Sequence, residues 1–168
     1  MDNLYKTIIW SQFGAAIDTL ENAIRACPDD LWGDRKQKPE YWYLAYHTLF
    51  FLDYYLSGQD DDFKPPEPFT LSELDPSGVM PDRVYTKDEL LTYLKHCHEK
   101  ARKVIKEMTE QWIEQQYKFA KVTLNYGELL LYNMRHFQHH AAQLNMILRR
   151  ETDSAPGWVF TAKKPLGL

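Results

Sequence analysis

Apolar residues recur at helical spacing from Leu4 to Cys27, through Ile8, Ile9, Phe13, Ala16, Ile17, Leu20 and Ile24. Pro28 stops that run, because it has no N–H to give and its ring crowds the preceding turn. A polar stretch, DDLWGDRKQK, follows. The next segment, EYWYLAYHTLFFLDYYLS from Glu40 to Ser57, is too apolar and aromatic for a surface helix and predicts a buried one. Pro39 suits its first turn, where a missing N–H costs nothing, and Gly58 suits its C-terminal cap.

From Gln59 to Tyr85 the chain shows no period and carries five of its nine prolines. A connection this long inside a compact domain implies a topological or functional task. Thr86 and Glu89 then form a T-x-x-E capping signature. Behind it Leu90, Leu94, Cys97, Ala101, Val104, Ile105, Met108 and Trp112 trace one helix face. A short break around YKFAKVTLNYG precedes a last helix, about Glu128 to Glu151, with Leu129, Tyr132, Asn133, His136, His140, Gln143, Leu144 and Ile147 along one side. The irregular tail holds Trp158 and Phe160, expected to pack it against the helices.

No segment alternates with period two over a useful length. The expected fold class is therefore all-α, a four-helix bundle formed by residues 1–168 as one domain. A helix of roughly 18 residues spans about 27 Å, and an extended return over that distance needs about 8 to 9 residues. The linker has reach to spare, so the second and third long helices are free to run parallel.

Composition narrows the function classes. A formal net charge of −4 with no basic stripe gives no footprint for nucleic acid. The N-terminus lacks the apolar core of a signal peptide, and no apolar run is long enough to span a bilayer. Two cysteines, Cys27 and Cys97, stand far apart, which speaks against a disulfide framework or a zinc ribbon. The expectation is a soluble, cytoplasmic protein with a small-molecule partner, no nucleic acid and no membrane, and a homodimer as its assembly.

Three of the six histidines fall within HFQHH, from His136 to His140. Positions i and i+4 lie one above the other on a helix, so His136 and His140 can reach one ion. His139 points roughly 60° to the side of His136. His47 stands in the middle of the most apolar helix, where it is either a core histidine bonded to a tyrosine or a third ligand. Three histidines from two facing helices would hold a divalent transition metal with positions open for water or substrate. Tyr43, Tyr54, Tyr132 and Asn133 lie within a turn or two of a ligand, as pocket lining or as plain core residues. His96 and His98 sit beside the apolar face of the third helix, at its rim. Phe137 occupies the place where a zinc protease of the H-E-x-x-H type needs glutamate. No Glu-x-x-His, G-x-S-x-G or P-loop occurs.

A mid-helix histidine in WYLAYHTLFFLDYYLSG, followed far downstream by HFQHHAAQL, resembles the DinB-like superfamily of metalloenzymes. The resemblance covers most of the chain. It implies an up-down-down-up bundle with a long crossover between helices two and three. It also implies zinc or nickel held by His47, His136 and His140, with Gln143 in support. Some characterised members transfer low-molecular-weight thiols such as bacillithiol or mycothiol, or use them in isomerisation, and many others have no assigned reaction; a metal-dependent thiol S-transferase is the activity that the resemblance implies. The alternatives are a metal-dependent hydrolase and a non-catalytic metal-binding bundle. No catalytic acid or base is singled out.

Overall fold

The computed structural model describes residues 1–36, 38–58, 62–119 and 122–168. Gln37, Ala120, Lys121 and the first three residues of the expected linker, Gln59 to Asp61, lie outside that description. Four long helices dominate it: α1 (Asn3–Ala26), α3 (Tyr41–Leu56), α4 (Lys87–Glu107) and α6 (Tyr126–Thr152). Between them lie two single-turn helices, α2 (Asp29–Trp32) and α5 (Glu110–Ile113), a 3-10 turn at Ser72–Leu74, and a hairpin of β1 (Gln116–Phe119) and β2 (Val122–Asn125). Among the described residues no helix is long and apolar enough to cross a membrane.

The helix ends follow from local chemistry. Asp2 accepts the Leu4 N–H at the start of α1, and Cys27 turns extended ahead of Pro28. At α4 the Thr86 hydroxyl accepts the Glu89 N–H while the Glu89 carboxylate accepts that of Thr86. Asn125 and Glu128 repeat the exchange at α6. Each such cap stabilises its helix by about 1 kcal/mol. Helix α3 opens at Tyr41, with Pro39 outside it; at the N-cap position Glu40 has extended backbone, its carbonyl takes the Leu44 N–H, and its carboxylate accepts the Trp42 indole N–H at 2.6 Å rather than a helix N–H. At its other end Gly58 has φ +67°, and a Cβ there would meet the Tyr117 ring at 2.6 Å. Two separate reasons thus require glycine.

Cross-helix bonds set the relative directions. The Lys6 and Lys87 ammonium groups donate to the carbonyls of Lys106 and Cys27, so α1 and α4 run antiparallel. The Tyr46 ring packs on Tyr85 just before α4, Cys97 meets the Leu49 carbonyl, and Lys100 donates to the Ser57 hydroxyl. Rising numbers on both sides mean that α3 and α4 run the same way. The Tyr126 hydroxyl reaches the Leu56 carbonyl and the Asn133 amide that of Leu52, so α6 opposes α3 and shares the direction of α1. Each long helix packs on two of the others: α3 and α1 both touch α4 and α6. The described part of the linker is laid along them, with Phe63 on Phe50 and Phe69 between Tyr46 and Tyr93.

Buried Asp53 ties α3 to α4. Its carboxylate takes bonds from Lys100 and from the Tyr93 hydroxyl at 3.1 Å, and His96 stands 3.5 Å away. Burial alone would raise its pKa, but His96 and Lys100 together outweigh that and hold it below the usual carboxylate range.

Several expectations are corrected. The break after α4 contains a β-hairpin, whose strands of four residues are too short to show a period in the sequence. Tyr117 and Leu124 pair across it and turn inward. Trp112 does not continue α4, because Met108 turns extended and Thr109 caps α5 by accepting the Trp112 N–H. The polar stretch after Pro28 includes α2, which buries Leu31 and Trp32. Leu4 and Ile8 are more than half exposed, beyond the part of α1 that its partners cover. Trp158 and Phe160 do not pack the tail down; they are 69% and 78% exposed. Ala162 and Leu166 do that instead, with Ala162 seated on Gly14 of α1 and its N–H donating to the Ser11 carbonyl.

Candidate metal centre

Because α3 and α6 cross antiparallel, His47 faces two positions one turn apart on α6, His136 and His140. The ring of His47 lies 5.5 Å from that of His136 and 5.0 Å from that of His140, and the α6 pair are 4.5 Å apart. One nitrogen from each ring falls within 4.8 Å of the other two. This is a cluster compatible with metal binding.

Outer hydrogen bonds decide which nitrogens face inward. His140 Nδ1–H donates to Gln143 Oε1 at 2.7 Å, and His47 Nδ1–H donates to Glu73 Oε2 at 2.6 Å. A neutral ring bonded in this way keeps a lone pair on Nε2. A carboxylate or amide behind a histidine fixes its tautomer and raises its basicity as a ligand. His136 Nε2 lies 3.1 Å from His140 Nε2, and its own Nδ1 is buried with no partner among the described residues. Two lone pairs at that separation repel unless a proton or a cation lies between them. The donor set, the close pair and the orphaned nitrogen together fit a divalent ion with a preference for imidazole.

The two α6 rings, His136 and His140, are held neutral. Burial, with His140, His47 and His139 adding to it, pulls the pKa of His136 down to about 3. Burial lowers that of His140 as well, against the pull of the Gln143 bond. The neutral form is the one that ligates. All three rings remain partly exposed, and no fourth His, Cys, Asp or Glu joins them among the described residues. Phe51 covers one side, 4.8 Å from His47 and 5.6 Å from His136, and Tyr55 lies 5.8 Å from His136.

Glu73 is the member that sequence reasoning missed. It sits in the 3-10 turn, with its side chain 3% exposed, and its second oxygen has no partner among the described residues. The Tyr46 hydroxyl holds the preceding segment through the Thr70 carbonyl. A single glutamate among several linker acids carries no spacing signal. Only the unusual length of the linker hinted at a task there. Burial and then the Glu73 charge push the nearby Tyr43 hydroxyl up to about 12.

The other candidates lie elsewhere. His139 is exposed, off the shared face. His96 rests on Asp53, and His98 stands edge-on to Trp10, its pKa lowered by burial. Asn133 is wholly buried against the Leu52 carbonyl, which makes it a core residue. Tyr54 packs on Phe63 and Tyr132 on Tyr55, in the aromatic layer flanking the histidines. A groove of about 740 Å³ between α1 and α4, lined by charged residues, includes none of the centre.

Compared with known proteins, the family model of the DinB superfamily matches residues 12–144, which span every residue of the centre. Neither a curated protein nor a solved structure matches the chain.

Proposed function

The chain belongs to the DinB superfamily, and on that premise we propose a metal-dependent enzyme whose divalent ion, zinc or nickel, is held by His47, His136 and His140. Its frame is a four-helix bundle of up-down-down-up order, a reading supported by the pairwise directions of α1, α3, α4 and α6. The carrying observation is the geometry of the three rings. Two have their outer nitrogens tied back to Glu73 and Gln143, and no fourth protein ligand closes the set among the described residues. A structural site would be closed; a catalytic one keeps a position free.

When bound, such an ion supplies a Lewis acid that lowers the pKa of a thiol or a water at its open position. The chain's own groups do the rest. Glu73 holds the proton on His47 Nδ1 and so aims Nε2 inward, and Gln143 does the same for His140. Phe51 and Tyr55 exclude water from one flank. The proposed substrate, which the family resemblance implies, is a small thiol of the bacillithiol class. Its sulfur displaces a leaving group from an electrophile: one C–S bond forms, the leaving group takes the bonding pair, and the thiol proton passes to solvent. The two free cysteines, both buried, agree with a cytoplasmic setting.

The experiment begins with elemental analysis of protein purified without added metal or an affinity tag. Conjugation of a panel of small thiols to a model electrophile follows, with His140→Ala as the control. Thiol-dependent acceleration that the variant loses supports the reading. Equal rates for the two proteins across the panel reject a transferase. Metal-dependent turnover with no thiol present would identify hydrolysis.

A further inference from the structure

The linker crosses α3 from one flank to the other. On the α4 flank the buried Phe69 ring is stacked between Tyr46 and Tyr93, at 5.8 Å and 4.4 Å. Four residues later Glu73 stands on the α6 flank, bonded to the ring of His47, which faces His136 and His140. Between these two points the Tyr46 hydroxyl fastens the crossing to α3. It donates to the Thr70 carbonyl at 2.9 Å and lies 3.4 Å from the Ser72 hydroxyl.

This strap is braced within itself. The Thr70 hydroxyl donates to that of Ser72 and accepts the Ser72 N–H. The 3-10 turn is closed by the N–H groups of Leu74 and Asp75 on the carbonyls of Leu71 and Ser72. Beyond Glu73 the chain leaves the helices: residues 74–80 are all exposed, and the next buried residue is Tyr85. Glu73 is thus the far fastening of a stiff segment whose near fastening is Tyr46.

We propose that Tyr46 is a positioning residue of the metal centre, acting through the strap and Glu73 on His47, and that metal binding in turn holds the strap down. The inference rests on the metal reading of the three histidines. Tyr46 has no direct route to them. It lies about 100° round the helix from His47, and its ring packs on Phe50, Phe69 and Tyr85. Its hydroxyl sets the height of the strap over α3, and a Glu73–His47 bond of 2.6 Å tolerates little displacement. The return path is chemical. A ring ligated through Nε2 is a stronger donor at Nδ1, so its bond to the Glu73 carboxylate tightens. Linkage makes the two effects equal: whatever factor the tether adds to metal affinity, metal adds to the closure of the strap.

Chelator competition for zinc and hydrogen exchange of the Leu74 and Asp75 amides test the proposal on the full chain. Zinc should slow that exchange about tenfold in the wild-type protein and leave it unchanged in Glu73→Ala. Tyr46→Phe keeps the ring and removes only the hydroxyl. It should weaken zinc binding about fivefold, with helical circular dichroism retained. Added to Glu73→Ala it should cost nothing more, because its effect travels through that carboxylate; a merely structural loss would persist. The exchange measurement needs no change at Tyr46 and decides the coupling even where that variant misfolds. Bound zinc that leaves the two amides unmoved, a Tyr46→Phe protein of unchanged affinity, or a loss that survives in the Glu73→Ala background overturns the inference and leaves the metal centre standing. A wild-type protein that binds no zinc overturns both.

Discussion

Glu73 and His47 are 26 residues apart in the chain and 2.6 Å apart at their hydrogen bond. The first sits on the linker, the second in the middle of α3, so the connection between two long helices supplies the group that orients a candidate ligand.

Removing that carboxylate should weaken metal binding without unfolding the protein. Outer partners of metal-bound histidines typically contribute 10–100-fold in affinity. Glu73→Ala should therefore lose about that factor in competition with a chelator, at unchanged helical content. Unaltered affinity would remove Glu73 from the centre.

Metal linkage separates a metal site from satisfied core histidines. An ion that binds only the folded state adds about 2.7 kcal/mol at a hundredfold excess over Kd. At roughly 2–4 °C per kcal/mol, the melting temperature should rise by several degrees. His47→Ala, His136→Ala and His140→Ala should each abolish most of the increment, while His139→Ala keeps it. Scanning calorimetry with zinc and nickel reads the result directly, and an unmoved wild-type curve would reject the site.

Asp53→Asn should be among the costliest single changes away from the histidines. It leaves the Lys100 ammonium group without its buried partner, and breaking such a pair costs about 3 kcal/mol. The wild-type contribution has a definite sign with pH. The folded pKa of Asp53 lies below its unfolded value of about 3.9, so the stabilisation is present above that value and lost as pH falls through the folded one. Urea denaturation between pH 7 and pH 3 should show the gap between wild type and Asp53→Asn narrowing only at the acid end. A constant gap would mean that the carboxylate's charge contributes nothing.

Gly58→Ala combines a left-handed φ with a contact at 2.6 Å to the Tyr117 ring. The backbone part alone costs about 1–2 kcal/mol. The steric part should vanish in Gly58→Ala with Tyr117→Ala, so a double-mutant cycle in urea should show a favourable coupling. Additive losses would mean that the ring moves aside freely.

The long helices were legible because burial on one side imposes a period, and because Thr86 and Glu89 announce their own cap. His136 and His140 were legible for the same reason, since helical spacing alone places them on one face. Asn125 and Glu128 carry an equally good capping signature. It precedes the point where the apolar period becomes clear, so the sequence reading starts the last helix too late. The hairpin was not legible, as Tyr117 and Leu124 are the inward-turned strand residues among the described side chains and two such positions make no period. Trp158 and Phe160 show the limit of hydrophobicity as a guide. It identifies residues that gain from leaving water, without saying which surface covers them. Glu73 was out of reach because its partner is set by how the linker lies on α3, a tertiary fact with no local trace.

Of the three imidazoles, only His136 has no outer tether among the described residues. His47 and His140 cannot turn without breaking an outer hydrogen bond, whereas rotation of His136 gives up only its contact with His140 Nε2. The centre thus has two fixed jaws and one movable jaw. An ion held there would leave first where the loss is smallest, at His136. Its residence time, as distinct from its affinity, would then depend on how tightly Phe51 and Tyr55 pen that one ring.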